Sequence, residues 1–171
     1  MKIQSLENVS IEDIHRAFTR AFSDYVEPFN LTVEQLQHTL QRRGFNACLS
    51  FAAYSGGEIV GFTLNGSGQW NGQATAYDTG TGVHISHRKQ GIASRIFEAS
   101  LPVLKAHGVS QYLLEVIRVN TKAADLYRKF GFSITREFDY WACPGDALEL
   151  RSGPLPEGIS IRPLEGPDWS L

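Results

Sequence analysis

The sequence predicts a mixed α/β (α+β) domain in which helices pack on the faces of a mixed sheet. Two observations carry this. Hydrophobic periodicity reads, in order, strand, two helices, three strands, helix, strand, helix, strand. The strands first meet through a hairpin signal and later alternate with helices, a pattern that combines antiparallel neighbours with a parallel crossover.

Lys2 to Leu6 is a short strand. Ser10 caps a helix whose apolar residues Ile11, Ile14, Ala17, Phe18 and Ala21 recur at helical spacing. Asp24 to Asn30, with Pro28 inside, breaks the pattern. Thr32, ahead of Glu34-Gln35, opens a second helix carrying Val33, Leu36 and Leu40 and ending near Gly44. Ala47 to Tyr54 and Glu58 to Leu64 are β-rich and joined by Ser55-Gly56-Gly57, a hairpin signal. Gly66 to Gly72 reads as a loop. Ala74 to Ile85 reads as a long strand whose Gly80 and Gly82 suggest a bulge.

After Gly91, Ile92, Ile96, Ala99 and Val103 form one stripe with Phe97, Leu101 and Leu104 beside it, a helix with a broad buried face stopped by Gly108. Pro102 inside it removes one backbone bond and should bend it. Gln111 to Ile117 is a strand in which Glu115 is the one acidic residue. Thr121 to Phe130 is a short helix closed by Gly131, and Phe132 to Trp141 is a last strand. The sequence divides into a domain at 1–143 and a Pro/Gly-rich tail at 144–171. In that tail Ile161-Arg162-Pro163-Leu164-Glu165 echoes Ile3-Gln4-Ser5-Leu6-Glu7, as a linker and the first strand of a second domain would.

At 171 residues, 42% hydrophobic and 20% charged, the chain has the composition of one globular domain with a core of useful size. Sixteen basic residues against 18 acidic ones leave a net charge of -2, which offers no bulk attraction to nucleic acid or to an anionic membrane. No apolar run approaches the roughly 20 residues of a membrane span, and Met1 to Phe18 lacks the apolar stretch of a secretory signal. Cys48 and Cys143 fit two reduced thiols in a cytoplasmic protein. The histidines His15, His38, His84, His87 and His107 have no metal-ligand spacing, so no metal is expected.

Residues 78–95, DTGTGVHISHRKQGIASR, hold two competing signals. Asp78-Thr79-Gly80-Thr81 spells an aspartic-protease loop, but that chemistry needs two carboxylates about 3 Å apart sharing a proton, and the chain has one Asp-Thr-Gly. A protease would have to be a homodimer, and it would be almost wholly β. The simpler reading makes Asp78 a solvated or capping side chain beside a bulge. The second signal is Arg88-Lys89-Gln90-Gly91-Ile92-Ala93. A strand ends there and a helix begins, so the first helical amides lack partners and, with the helix dipole, favour a phosphate. Gly91 lets a ligand approach the backbone, and Arg88, Lys89 and Arg95 add local charge. Neither GxxxxGK[ST] nor a GxGxxG after a strand is present, so an ordinary nucleotide site is not indicated.

Ala47 to Tyr140 resembles the GNAT superfamily of acetyl-coenzyme A-dependent N-acetyltransferases. Three pieces carry the resemblance in order: VHISHRKQGIA as the strand–loop–helix with RxxGxA, Leu114-Glu115-Val116 followed by Asn120, and Ala123 to Phe132 as the NxxAxxLYxKxGF helix, glycine and strand. His87 departs from the proline or tyrosine common before the arginine. The resemblance implies a mostly antiparallel sheet splayed between its fourth and fifth strands, Ala74–Ile85 and Gln111–Ile117, with helices on both faces. The pantetheine arm would lie in that split against the backbone of Val83, His84 and Ile85. The diphosphate would sit on Arg88, Lys89, Gln90, Gly91, Ile92, Ala93 and Ser94, with Asn120 and Tyr127 beside the cofactor.

Such chemistry needs a neutral amine, and a lysine-like amine of pKa about 10.4 is neutral in only about one molecule in a few thousand at pH 7. By resemblance to the branch that acetylates ribosomal-protein N-termini, Glu115 is a candidate base; it could equally orient the sheet. Tyr127 is the implied acid or hydrogen-bond donor to the departing sulfur, and otherwise a core aromatic. Tyr25, Phe29 and Trp70 lie in loops that would border the acceptor and are more ordinarily packing residues. The expected partner is a small-molecule or peptide amine, with a homodimer open. The alternative is a non-catalytic acyl-CoA-binding regulatory module.

Overall fold

The computed structural model describes residues 1–26, 29–147 and 153–161. Met1–Ser133 forms one compact unit, and the chain from Ile134 a second.

The first unit is a five-stranded sheet in the order β1 (Lys2–Ser5), β2 (Phe51–Ser55), β3 (Glu58–Trp70), β4 (Gln73–Val83), β5 (Gln111–Leu114). The first three pairings are antiparallel and β4–β5 is parallel. Helices α1 (Ile11–Ala21) and α2 (Val33–Arg42) cover one face, and α3 (Ile92–Ala106) covers the other.

The caps form as the sequence predicts. The Ser10 hydroxyl accepts from the Asp13 amide, and Thr32 with Gln35 makes a reciprocal capping box. Alternation then sorts the sheet. Ala52, Phe62 and Leu64 face α1 and α2, while Phe51, Ala53 and Val60 face Ile92 and Ile96 of α3. Pro102 lies inside a continuous α3.

Four expectations are corrected. Gly66–Gly72 is mostly strand: β3 runs to Trp70, and the turn is Asn71-Gly72, both at positive φ (51° and 72°). That Asn-Gly pair is the two-residue hairpin signal, and the glycines around it obscured it. Ala47–Leu49 is a 3₁₀ turn ahead of β2. The fifth strand stops at Leu114, so Glu115 lies just beyond it. No strand forms at 132–141, where Ile134, Phe138, Tyr140 and Trp141 are exposed; apolar and aromatic content reports propensity, whereas a strand needs a pairing partner. The tail echo lies outside the described residues from Arg162 onward.

The bulge exists, for a different reason than the glycines. Leu64 pairs with Gly80 and Asn65 with Asp78, so Thr79 is the extra residue. Gly80 and Gly82 make room for α1: a Cβ on Gly82 would lie 2.9 Å from both Ala21 Cβ and the Phe62 ring.

Candidate active site

β4 and β5 pair only from Thr75↔Gln111 to Asp78↔Leu114. Past that point β4 continues through Thr79–Val83 while β5 has ended, and this is the split in the sheet. α4 (Thr121–Lys129), capped by the Asn120 side chain on the Ala123 amide, brings Tyr127 to the same place.

Asp78 lies at the base of the split. It is 7% exposed, and its Oδ2 accepts from the Thr81 hydroxyl at 2.7 Å and from the Tyr127 hydroxyl at 3.4 Å. In an unbroken strand, residues 78 and 81 would point to opposite faces. The extra residue at Thr79 puts both on one face, which makes the Thr81 contact possible. Asp78 Oδ1 is buried with no hydrogen-bond partner, as is the Thr79 hydroxyl. Burial holds the Asp78 carboxyl up at about 6, against the Thr81, Gly80-amide and Tyr127 hydrogen bonds that favour its charge. Burial, then the Asp78 charge, pushes the Tyr127 hydroxyl far above the ordinary tyrosine range. Asp78 is therefore neither the solvated nor the capping group that the sequence predicts. The signal that could have found it is an ionisable side chain one residue before a bulge in a half-buried strand.

Nearby, Tyr112 donates to Asn65 Oδ1 at 2.6 Å, and Asn65 Nδ2 donates to the Leu49 carbonyl at 2.6 Å. Phe97, Tyr112, Phe130 and Phe132 ring the Tyr127 side chain or each other at 5.2–6.3 Å, a dry wall on the α3 side.

At the mouth, the structure sorts the remaining residues differently. Arg88 is occupied by the protein: its guanidinium donates to both Asp24 oxygens at 2.7 Å, to the Ala21 carbonyl at 2.8 Å and to the Val83 carbonyl at 3.1 Å. What it offers an anion is its backbone. Lys89 and Gly91 have positive φ (62° and 72°), and Gly91 caps α3 without a side chain. The space a Cβ on Gly91 would enter is open for 4 Å, and no side chain caps the N-terminus of α3 that follows, at Ile92, Ala93 and Ser94. The exposed Lys89, Gln90 and Arg95 rim this turn. Val83 is the last residue of β4, His84 donates its amide to the Val60 carbonyl, and Ile85 opens a 3₁₀ turn.

Glu115 is exposed and hydrogen-bonds the Tyr77 hydroxyl, which burial and then the Glu115 charge push up. Tyr77 neighbours Asp78 in β4 and so lies on the opposite face, which keeps Glu115 apart from the Asp78–Tyr127 pair. Asn120 Nδ2 reaches the Tyr25 hydroxyl at 3.5 Å, tying the segment after α1 to the start of α4. Tyr25 and Phe29 pack on Phe22, whereas Trp70 is 46% exposed at the far hairpin.

The sheet thus opens between two parallel strands, with the N-terminus of α3, which no side chain caps, at the mouth of the opening. The Acetyltransferase (GNAT) family profile matches residues 11–132, and the chain belongs to that family. It is 31% identical over 120 residues to mycothiol acetyltransferase of Thermobispora bispora, covering 67% of this chain and 40% of that protein. It is 31% identical over 131 residues to N-alpha-acetyltransferase 20 of Dictyostelium discoideum, covering 70% and 71%. Among solved structures, an aminoglycoside acetyltransferase from a soil metagenomic sample superposes with a TM-score of 0.66 at 21% identity, over 84% of this chain and 96% of that one. The ribosomal-protein-S18-alanine N-acetyltransferase of Escherichia coli superposes at 0.61 and 21%, over 77% of each. The chain thus spans less than half of the mycothiol acetyltransferase it matches.

Proposed function

We propose that the protein transfers an acetyl group from acetyl-CoA to a primary amine by direct attack in a ternary complex. The observation that carries this reading is the placement of Tyr127 at the base of the β4–β5 split, with the uncapped turn of α3 at its mouth. The amides at Lys89–Ser94 hold the diphosphate, and Val83, whose carbonyl is engaged by Arg88, lines with His84 and Ile85 the arm that leads to the thioester. Asn120 frames the opposite wall through its bond to Tyr25.

Tyr127 faces the departing sulfur and supplies a hydrogen bond, then a proton. Glu115, exposed at the end of β5, takes the proton of the incoming ammonium, directly or through the Tyr77 hydroxyl. The acceptor is an amine of the kinds named in the relatives, a protein α-amine or an amino sugar. Both leave the base less to do than a lysine would, since an α-amine near pKa 7.7–8.0 is neutral in about one molecule in ten at pH 7.

The test is a panel of amines (free-N-terminus peptides, an amino sugar, an aminoglycoside, spermidine) assayed for acetyl-CoA-dependent thiol release, beside thermal shift with CoA. Thiol release with at least one acceptor, and a melting point raised by CoA, are expected. A melting point raised by CoA with no thiol from any amine would instead favour a binding module.

A further inference from the structure

We propose that Asp78 is a positioning residue acting through Tyr127: its carboxyl group hands a proton to the tyrosine oxygen as the tyrosine hydroxyl gives its own to the departing sulfur. The inference rests on the acetyl-transfer reading and deepens it.

One face of the sheet carries an imbalance. Asn65, the cross-strand partner of Asp78, has its side chain engaged by Tyr112 and the Leu49 carbonyl. Asp78, also buried, keeps one oxygen, Oδ1, without a hydrogen-bond partner. An aspartate retained for packing alone would cost more than the asparagine beside it, because an unsatisfied buried carboxylate oxygen forfeits its hydration. The neutral acid loses far less. The groups facing Asp78 are Thr81 within β4, Tyr127 from α4 and Tyr112 from β5, with Tyr25 beyond Tyr127 and Tyr77 on the opposite face of β4; no cation is among the groups that shift it. Burial favours the protonated form and outweighs the hydrogen bonds from Thr81, the Gly80 amide and Tyr127, which favour the carboxylate.

Tyr127 alone is a poor acid for this task. An ordinary tyrosine, near 10, is already weaker than a thiol near 8.5. Here burial and the Asp78 charge raise it further, and giving up its proton unaided would leave a phenolate beside a carboxylate. A protonated Asp78 removes that obstacle. The Tyr127 O–H bond breaks as the S–H bond forms, and the Asp78 O–H bond breaks as the Tyr127 O–H is restored. Asp78 is left as carboxylate and recovers its proton from the medium, into which the attacking nitrogen has released one. Thr81 holds Oδ2 in line for the exchange.

The experiment compares the parent, Asp78→Asn, Tyr127→Phe and the double variant for kcat of acetyl transfer, from pH about 5.5 to about 8.5. Asp78→Asn keeps shape and hydrogen bonds but has no carboxyl proton, and circular dichroism verifies its fold. It should lower kcat about 10- to 100-fold near pH 6, with the KM for acetyl-CoA little changed. The parent-to-variant ratio, in which the acceptor's own titration cancels, should fall as pH rises past about 6. In the Tyr127→Phe background the second substitution should add nothing. A ratio that is flat or rises with pH, or losses that multiply in the double variant, overturns the proposal. Carboxyl carbon NMR supplies a readout free of turnover: a group titrating near 6, absent in Asp78→Asn and displaced in Tyr127→Phe. A titration indifferent to Tyr127→Phe also overturns it. A folded parent that releases no thiol sinks the acetyl-transfer reading itself, whereas normal transfer with a flat ratio sinks the relay alone.

Discussion

A carboxyl held up at about 6 has a consequence for stability that is separate from catalysis. Unfolded, Asp78 titrates near 3.9; folded, it binds its proton more tightly, so between the two values the native state carries more protons. Stability therefore falls as pH rises from about 4 to about 6 and stays lowered above that, by up to roughly 3 kcal/mol. Asp78→Asn should be more stable than the parent at pH 7 by about 1–3 kcal/mol, an advantage that disappears near pH 4. Urea melts at both pH values check this, and a variant that loses stability at pH 7 contradicts it. Tyr127→Phe should slow transfer by ~10²–10⁴-fold with a nearly unchanged melting point if its hydroxyl meets the sulfur. Asp78 was illegible in the sequence because its burial depends on a bulge one residue away and a tyrosine 49 residues away. Tyr127 was visible only through its motif.

At the scale of elements, the caps and the turn into α3 were legible because their signals are local: Ser10, Thr32 with Gln35, and the glycine before an apolar helix. Thr32→Ala removes one side of the capping box and should cost about 1 kcal/mol, measurable by thermal or urea unfolding. Gly82 is tested by crowding. A methyl there meets Ala21 and Phe62 at 2.9 Å, so Gly82→Ala should destabilise by about 1–3 kcal/mol through overpacking. Gly82 has no positive φ, so its backbone alone would accept alanine, and a nearly neutral substitution would show that Ala21 and Phe62 can give way. The long β3–β4 hairpin escaped notice because Gly66, Gly68 and Gly72 read as loop, whereas its register is set across ten cross-strand pairs.

For the whole molecule, Arg88 connects parts that the sequence keeps 64 residues apart. Its guanidinium joins the end of α1 and Asp24 to the last residue of β4, and holds the Asp24 carboxyl below its usual range. The segment after α1 also reaches α4 through Tyr25 and Asn120, so the same segment touches both sides of the split. Arg88→Ala should therefore raise the KM for acceptor and for acetyl-CoA together, and Arg88→Lys should not rescue it, because one ammonium cannot reproduce a fork that reaches three groups. A KM change confined to acetyl-CoA would return Arg88 to a direct phosphate role.

The extra residue in β4 acts as a phase slip. It leaves the pairing on either side intact while exchanging inside for outside over half of the strand. Shortening the chain by Thr79 alone would keep every reacting group in the sequence, yet would turn either the carboxyl or its hydroxyl neighbour toward the wrong helices. Counting residues along this strand therefore matters as much to the chemistry as which residues they are.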